Sequence, residues 1–206
     1  MKKIVLLSSL IIIIGGFGIF GSASAITFSP PYPPGLSPLS AGYNYTWGID
    51  WSLEPDAFIT EATLTFRGLF NSDISVSNVL YIHLLDTVPL GVTRAVDTPL
   101  PGNPYALGID TFADQGILIA AWADTPPGGI ANRSDVSFVF NASELQTLTD
   151  YFHNGGNIGF GFSPECSFYS SEVTFDVQPI PEPTTLLLLG SGLAGLGIWG
   201  RRRFWR

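Results

Sequence analysis

An apolar run stands at each end of this chain with basic residues on its outer flank, so whatever folds between them must fold after crossing a membrane. At the start, Met1-Lys2-Lys3 is a short basic region, residues 4–20 are apolar, and Ala23-Ser24-Ala25 is a small-x-small cleavage site. This predicts a signal peptide over residues 1–25 and a mature chain beginning at Ile26. At the other end, the apolar run of seventeen residues, 184–200, rises roughly 25 Å as a helix, enough for a hydrocarbon core of about 30 Å that thins locally. Arg201, Arg202, Arg203 and Arg206 follow with no acid between them, which holds that end in the cytoplasm, while Trp199 and Trp205 suit the interface. Within the run, Gly190, Ser191, Gly192, Ala194, Gly195 and Gly197 would let another membrane helix approach closely. The expectation is a transmembrane helix over 184–200 with a basic stop over 201–206 and the bulk of the chain outside.

Just before that helix stands Pro179-Ile180-Pro181-Glu182-Pro183. Pro181-Glu182-Pro183, the apolar helix and the basic end together resemble the PEP-CTERM sorting signal over about the last 28 residues, 179–206. The resemblance implies recognition by exosortase, a membrane-embedded cysteine transpeptidase, and cutting near the motif during export to the cell surface, envelope or biofilm matrix. Pro181, Glu182 and Pro183 would then be recognition residues rather than catalytic ones. A plain single-pass anchor needs no Pro-Glu-Pro at its outer face.

Between the ends lie residues 26–178, one domain large enough for a real core. All but one of the chain's 17 acids fall in it, the exception being Glu182, against three arginines, Arg67, Arg94 and Arg133, and no lysine. Such a surface repels nucleic acid phosphates and anionic lipid, so nucleic acid binding is excluded. The acidity serves solubility, or attracts a divalent cation such as calcium, for which Asp110 and Asp114 are the candidate ligands. They lack the glycine and the twelfth-position glutamate of an EF-hand. Cys166 is the only cysteine, so an internal disulfide is excluded, and a half-buried structural thiol is the favoured reading.

Period-two alternation dominates the domain. Residues 26–40 hold five prolines and are expected as an extended lead-in rather than an element. Tyr43, Tyr45, Trp47, Ile49 and Trp51 share one parity. Over 58–66, Ala62, Leu64 and Phe66 should point inward and Glu61, Thr63 and Thr65 outward. Residues 78–85 and 116–122 are denser and predict buried strands, while 88–104, with four prolines, predicts a long loop or broken edge. Residues 135–140 return after a Pro-Pro-Gly-Gly turn. Ser143-Glu144-Leu145-Gln146 fits a capping box, and Leu145, Leu148 and Phe152 predict one helix stopped by Asn154-Gly155-Gly156. Residues 157–162 and 168–177 complete the sheets, the latter with Val173, Phe175 and Val177 inward. The reading is an all-β, antiparallel two-sheet sandwich, jelly-roll-like, with one short helix.

Residues 78–86 and 158–169 also resemble the sandwich ectodomains of other PEP-CTERM proteins, modules of unknown ligand. That pattern carries aspartates where this chain has Ser163 and Glu165, and the departure at Ser163 weakens a metal or ligand role for the loop. His83 and His153 fit packed and capping roles better than a base. No Gly-x-Ser-x-Gly, His-Glu-x-x-His or glycine-rich phosphate loop occurs. Tyr45, Trp47 and Trp51 form either a ligand-stacking platform or part of the core, and their shared parity favours the core. The sequence therefore predicts a non-enzymatic, structural or carbohydrate-interacting component of the envelope or matrix, with extracellular polysaccharide as a candidate partner. The alternative is an extracellular glycan hydrolase using a carboxylate pair.

Overall fold

The computed structural model describes residues 24–31, 35–74, 78–97, 110–124, 128–155 and 157–181, together with Gly192. The apolar runs at both ends, Gly192 apart, and the basic end lie outside the described residues, as do Glu182 and Pro183. No helix among the described residues is long and apolar enough to cross a membrane.

Alternation folds here into two antiparallel sheets. The first is ordered β1 (Ile26–Phe28), β10 (Glu172–Pro181), β3 (Ala57–Asn71), β7 (Ser134–Val139), with β9 (Phe168–Tyr169) paired to the end of β3. The second is ordered β5 (Gly91–Val96), β2 (Tyr43–Gly48), β8 (Gly159–Pro164), β4 (Val79–Leu85), β6 (Ile117–Ala123). Inward parity holds where it was expected. Ala62, Leu64 and Phe66 on β3 and Val173, Phe175 and Val177 on β10 are buried, while Glu61 and the intervening threonines face outward. Aromatic edges lock the sheets together: Phe66 meets Phe162 at 5.9 Å and Phe160 meets Phe175 at 4.8 Å, each close to perpendicular.

Several elements differ from the sequence reading. The proline-rich lead-in contributes β1, whose Ile26 opposes Val177. Residues 168–177 divide into β9 and β10. The predicted buried strand at 116–122 is an edge strand, β6, with Leu118 48% exposed; an apolar run does not reveal whether a second neighbour will pair with it. Of the two alternatives expected for 88–104, a long loop or a broken edge, the structure shows the edge, β5, at the other side of this sheet. The helix α1 (Ala142–His153) is capped two residues earlier than expected. Asn141 Oδ1 accepts from the Ser143 and Glu144 backbone N–H groups, and Glu144 Oε2 accepts from the Asn141 N–H at 2.7 Å, which completes a capping box. Leu148 and Phe152 bury its inner face, and Thr149 Oγ1 accepts from the Ile59 N–H at 3.1 Å, fixing α1 to β3.

The outer face of the second sheet is covered. Phe112, with Leu85 and Val88, forms a small separate core there. Gly161 on β8 makes room, because a Cβ would stand 2.8 Å from the Phe112 ring. Thr111 ties this segment down, its N–H donating to Ser163 Oγ at 3.2 Å and its hydroxyl to Asp97 at 3.0 Å.

Candidate functional site

The sequence places its clearest functional signal after residue 178, and the sheet continues into it. Pro179, Ile180 and Pro181 are the last residues of β10, opposite Ile59, Phe58 and Ala57 of β3, after a register shift between Gln178 and Pro179. Proline cannot donate to a ladder, so it belongs at edges and bulges. Both conditions are met: β1 pairs with β10 only through Val177, so β10 has no strand on that side here among the described residues. β1 starts opposite Val177, four residues before β10 ends at Pro181, so the predicted mature terminus Ile26 and the end of β10 lie toward the same end of the same sheet.

A two-sheet domain whose last strand ends in a proline-rich segment, followed in sequence by an apolar run and arginines, carries a sorting signal at its end. Residues 179–203 match the PEP-CTERM protein-sorting motif. The motif implies an exported protein that exosortase processes and sorts to the cell surface. No curated protein and no solved structure matches the chain significantly.

The candidate aromatic platform does not form on β2. Tyr45 and Trp47 are 4% and 2% exposed, inside the core between the sheets, where Trp47 packs on Phe160 at 5.8 Å. The Tyr45 hydroxyl accepts from the Ser40 N–H at 2.9 Å, satisfying its polar tip. Trp51 lies beyond the strand, half-buried and edge-on to Phe152 at 4.6 Å. Shared parity placed these rings on one face, and burial of that face is worth more than stacking on a ligand.

Asp110 and Asp114 do not converge as a pair of ligands. Asp110 Oδ2 lies 2.8 Å from Nε2 of His83, which is 2% exposed, while its Oδ1 accepts from the Phe112 N–H at 3.1 Å. Asp114 is exposed. Among the described residues no three His, Cys, Asp or Glu side chains stand together as metal ligands. His83 is thus a packed histidine with a specific carboxylate, a pairing across 27 residues that no sequence spacing signals. His153 Nε2 lies 3.2 Å from the Glu54 carbonyl oxygen at the end of α1.

Ser163 and Glu165 are brought beside β4. Ser163 opposes Tyr81 in register. Glu165 accepts from the Val79 N–H at 2.7 Å and from the Tyr81 hydroxyl at 3.3 Å. Burial first, then the Glu165 and Asp110 charges, raise the Tyr81 phenol above its ordinary value of 10.0. Cys166 is partly exposed, its Sγ 3.7 Å from Ser72 Oγ. A different set of residues, Asn71, Trp122, Asp124 and Asn132, lines a cavity at the far end of β3; Asn132 begins the short acceptor pattern Asn132-Arg133-Ser134, which signals no cavity, and the other three stand in no motif.

Proposed function

We propose that this protein is an exosortase-sorted component of the cell envelope or biofilm matrix whose sandwich is structural or carbohydrate-interacting and not enzymatic. Its parts would be a signal peptide over 1–25, a folded domain from Ile26 running into the first residues of the motif, a transmembrane helix over 184–200 and a basic stop over 201–206. The sandwich is of the jelly-roll kind. What supports this is the placing of the last long strand, β10, between β1 and β3, with β8 between β2 and β4 in the facing sheet.

The observation that carries the sorting reading is the sorting-motif match at residues 179–203, which begins inside β10. β10 runs to Pro181, the residue before Glu182 in sequence, and the prolines on either side of Glu182 restrict φ and lower the entropy of an extended segment. Changing Pro181, Glu182 and Pro183 to alanine leaves the apolar run and the arginines, so insertion should persist. The expected outcome in a host carrying exosortase is accumulation of a full-length, membrane-bound form, read by immunoblot of membrane and released fractions. Cutting and release at the parental rate would make the tail an ordinary anchor.

A further inference from the structure

The strand that pairs with the sorting segment at Ala57 carries Asn71 at its other end, some ~45 Å away at 3.3 Å per residue. There, at the end of β3 remote from Pro181, Asn71, Trp122, Asp124, Gly128, Asn132 and Ser134 line a cavity of about 330 Å³. This lies at the lower end of the range for small-molecule sites, about 300–1,000 Å³.

The chemistry of its wall is unusual for a structural void. Asn71 is 0% exposed, and neither its Oδ1 nor its Nδ2 has a hydrogen-bond partner among the described residues. Buried carboxamides are normally satisfied, because desolvation without a partner is costly. The packing around it is close: a Cβ on Gly128 would stand 2.8 Å from Asn71 Oδ1 and 2.1 Å from the Asp73 carbonyl oxygen, so only glycine lets the turn settle there. The Gly129 N–H donates to the Asn71 carbonyl at 2.8 Å, fastening that turn to β3. Asp124, 8% exposed, accepts from the Asn78 N–H at 2.8 Å and is thereby held in place. Trp122 is half-buried, its ring anchored edge-on against Phe168 at 5.8 Å.

We propose that this cavity binds one neutral sugar ring, with Trp122 against its apolar face and Asn71, Asp124 and Asn132 hydrogen-bonding its hydroxyls. A hydroxyl both donates and accepts, so vicinal hydroxyls satisfy the two ends of a carboxamide at once. A cation would satisfy the oxygen and leave the NH₂ group without an acceptor. An anion would meet a buried carboxylate inside an acidic domain. An apolar ligand would leave the whole amide unpaired.

This inference rests on the carbohydrate-interacting reading for its choice of probes, and on the cavity for everything else. The test uses the full chain in a detergent without sugar headgroups. Saturation-transfer NMR is recorded with a neutral hexose, a 6-deoxyhexose and an N-acetylhexosamine, and with oligosaccharides ending in each. At least one should bind, and Asn71→Leu should weaken it by about tenfold or more. Trp122→Phe, which keeps an aromatic ring, should weaken it less. Without sugar, Asn71→Leu should melt at or above the parental temperature, since it removes an unpaired polar group. Binding of oligosaccharides as well as monosaccharides assigns the site to polymer ends; binding of monosaccharides alone assigns it to free sugar. The proposal is overturned if no member of the panel binds, if Asn71→Leu binds as the parent does, if Asn71→Leu melts lower, or if calcium alone stabilises the parent but not the variant. Should the sugars fail while the Pro181-Glu182-Pro183 variant still blocks processing, the sorting reading stands and only the cavity's ligand is lost.

Discussion

The two sheets are built on the same period of two but bury their residues differently. On β10 the run from Glu172 to Val177 alternates exposed or half-buried residues with buried ones, so one face of the first sheet meets the core and the other meets solvent. On β8 every residue from Gly159 to Pro164 is buried. The difference lies in what covers the outer face. The second sheet carries Phe112 and Val88 there, and β8 admits Phe112 at Gly161 and Val88 at Gly159, the outward positions where β10 has Thr174 and Asp176. Polar groups follow the same division. The ion pair of the first sheet, Arg67 Nε to Glu172 at 2.9 Å, has both side chains more than half exposed, whereas the second sheet holds His83 against Asp110 with both shielded from water. A covered face makes its polar partners and its glycines obligatory; an open one leaves them replaceable.

The sharpest way to break this contrast is Gly159→Ala. A Cβ there would stand 2.3 Å from the Trp47 carbonyl oxygen and 2.9 Å from the Gly48 Cα. Neither is a flexible side-chain end, so the strands must part, and a loss of about 4 kcal/mol or more in urea unfolding is expected. An ordinary loss below ~1 kcal/mol would mean that β8 and β2 are not held this close at Gly159.

Asp110 beside His83 and Glu172 beside Arg67 should differ in the same way. Asp110→Ala leaves the buried His83 imidazole without its acceptor and should cost about 2–3 kcal/mol. Glu172→Ala removes an exposed pair and should cost no more than about 1 kcal/mol. Equal costs in parallel denaturation curves would remove the distinction between the sheets.

The smallest effect is expected in alkali. The Tyr81 phenol is held protonated above its ordinary value of 10.0, chiefly by burial. Its contribution to stability is present below that value and is lost as pH rises through the raised folded value, because the unfolded chain gives up the proton first. Tyr81→Phe should flatten this alkaline decline without moving the melting temperature's dependence on pH near neutrality. An unchanged slope above pH ~10 would show that Tyr81 ionises as freely in the fold as outside it.

How far the molecule was legible depended on whether the information was local. Ala62, Leu64, Phe66, Val173, Phe175 and Val177 could be assigned inward because a strand's period places them so whatever it pairs with. The same parity placed Tyr45 and Trp47 together, yet it could not tell core from platform, since that depends on whether a second sheet closes over them. The helix was found from Leu148 and Phe152, but its cap was misplaced from Asn141 to Ser143, because both residue types accept from a helix N-terminus and only the backbone path selects one.

By itself the sequence determined the strand faces, the single helix and the sorting tail, all encoded in contiguous residues whose spacing carries the physics. Tertiary structure alone decided which strand lies beside which. That order is set by long-range pairing between segments far apart in the chain: it brings Ile26 against Val177, continues β10 into Pro179-Ile180-Pro181, sets Asp110 on His83, and gathers Asn71, Trp122, Asp124 and Asn132 around one cavity. No local pattern specifies such meetings, because each depends on how the whole chain buries its apolar surface at once.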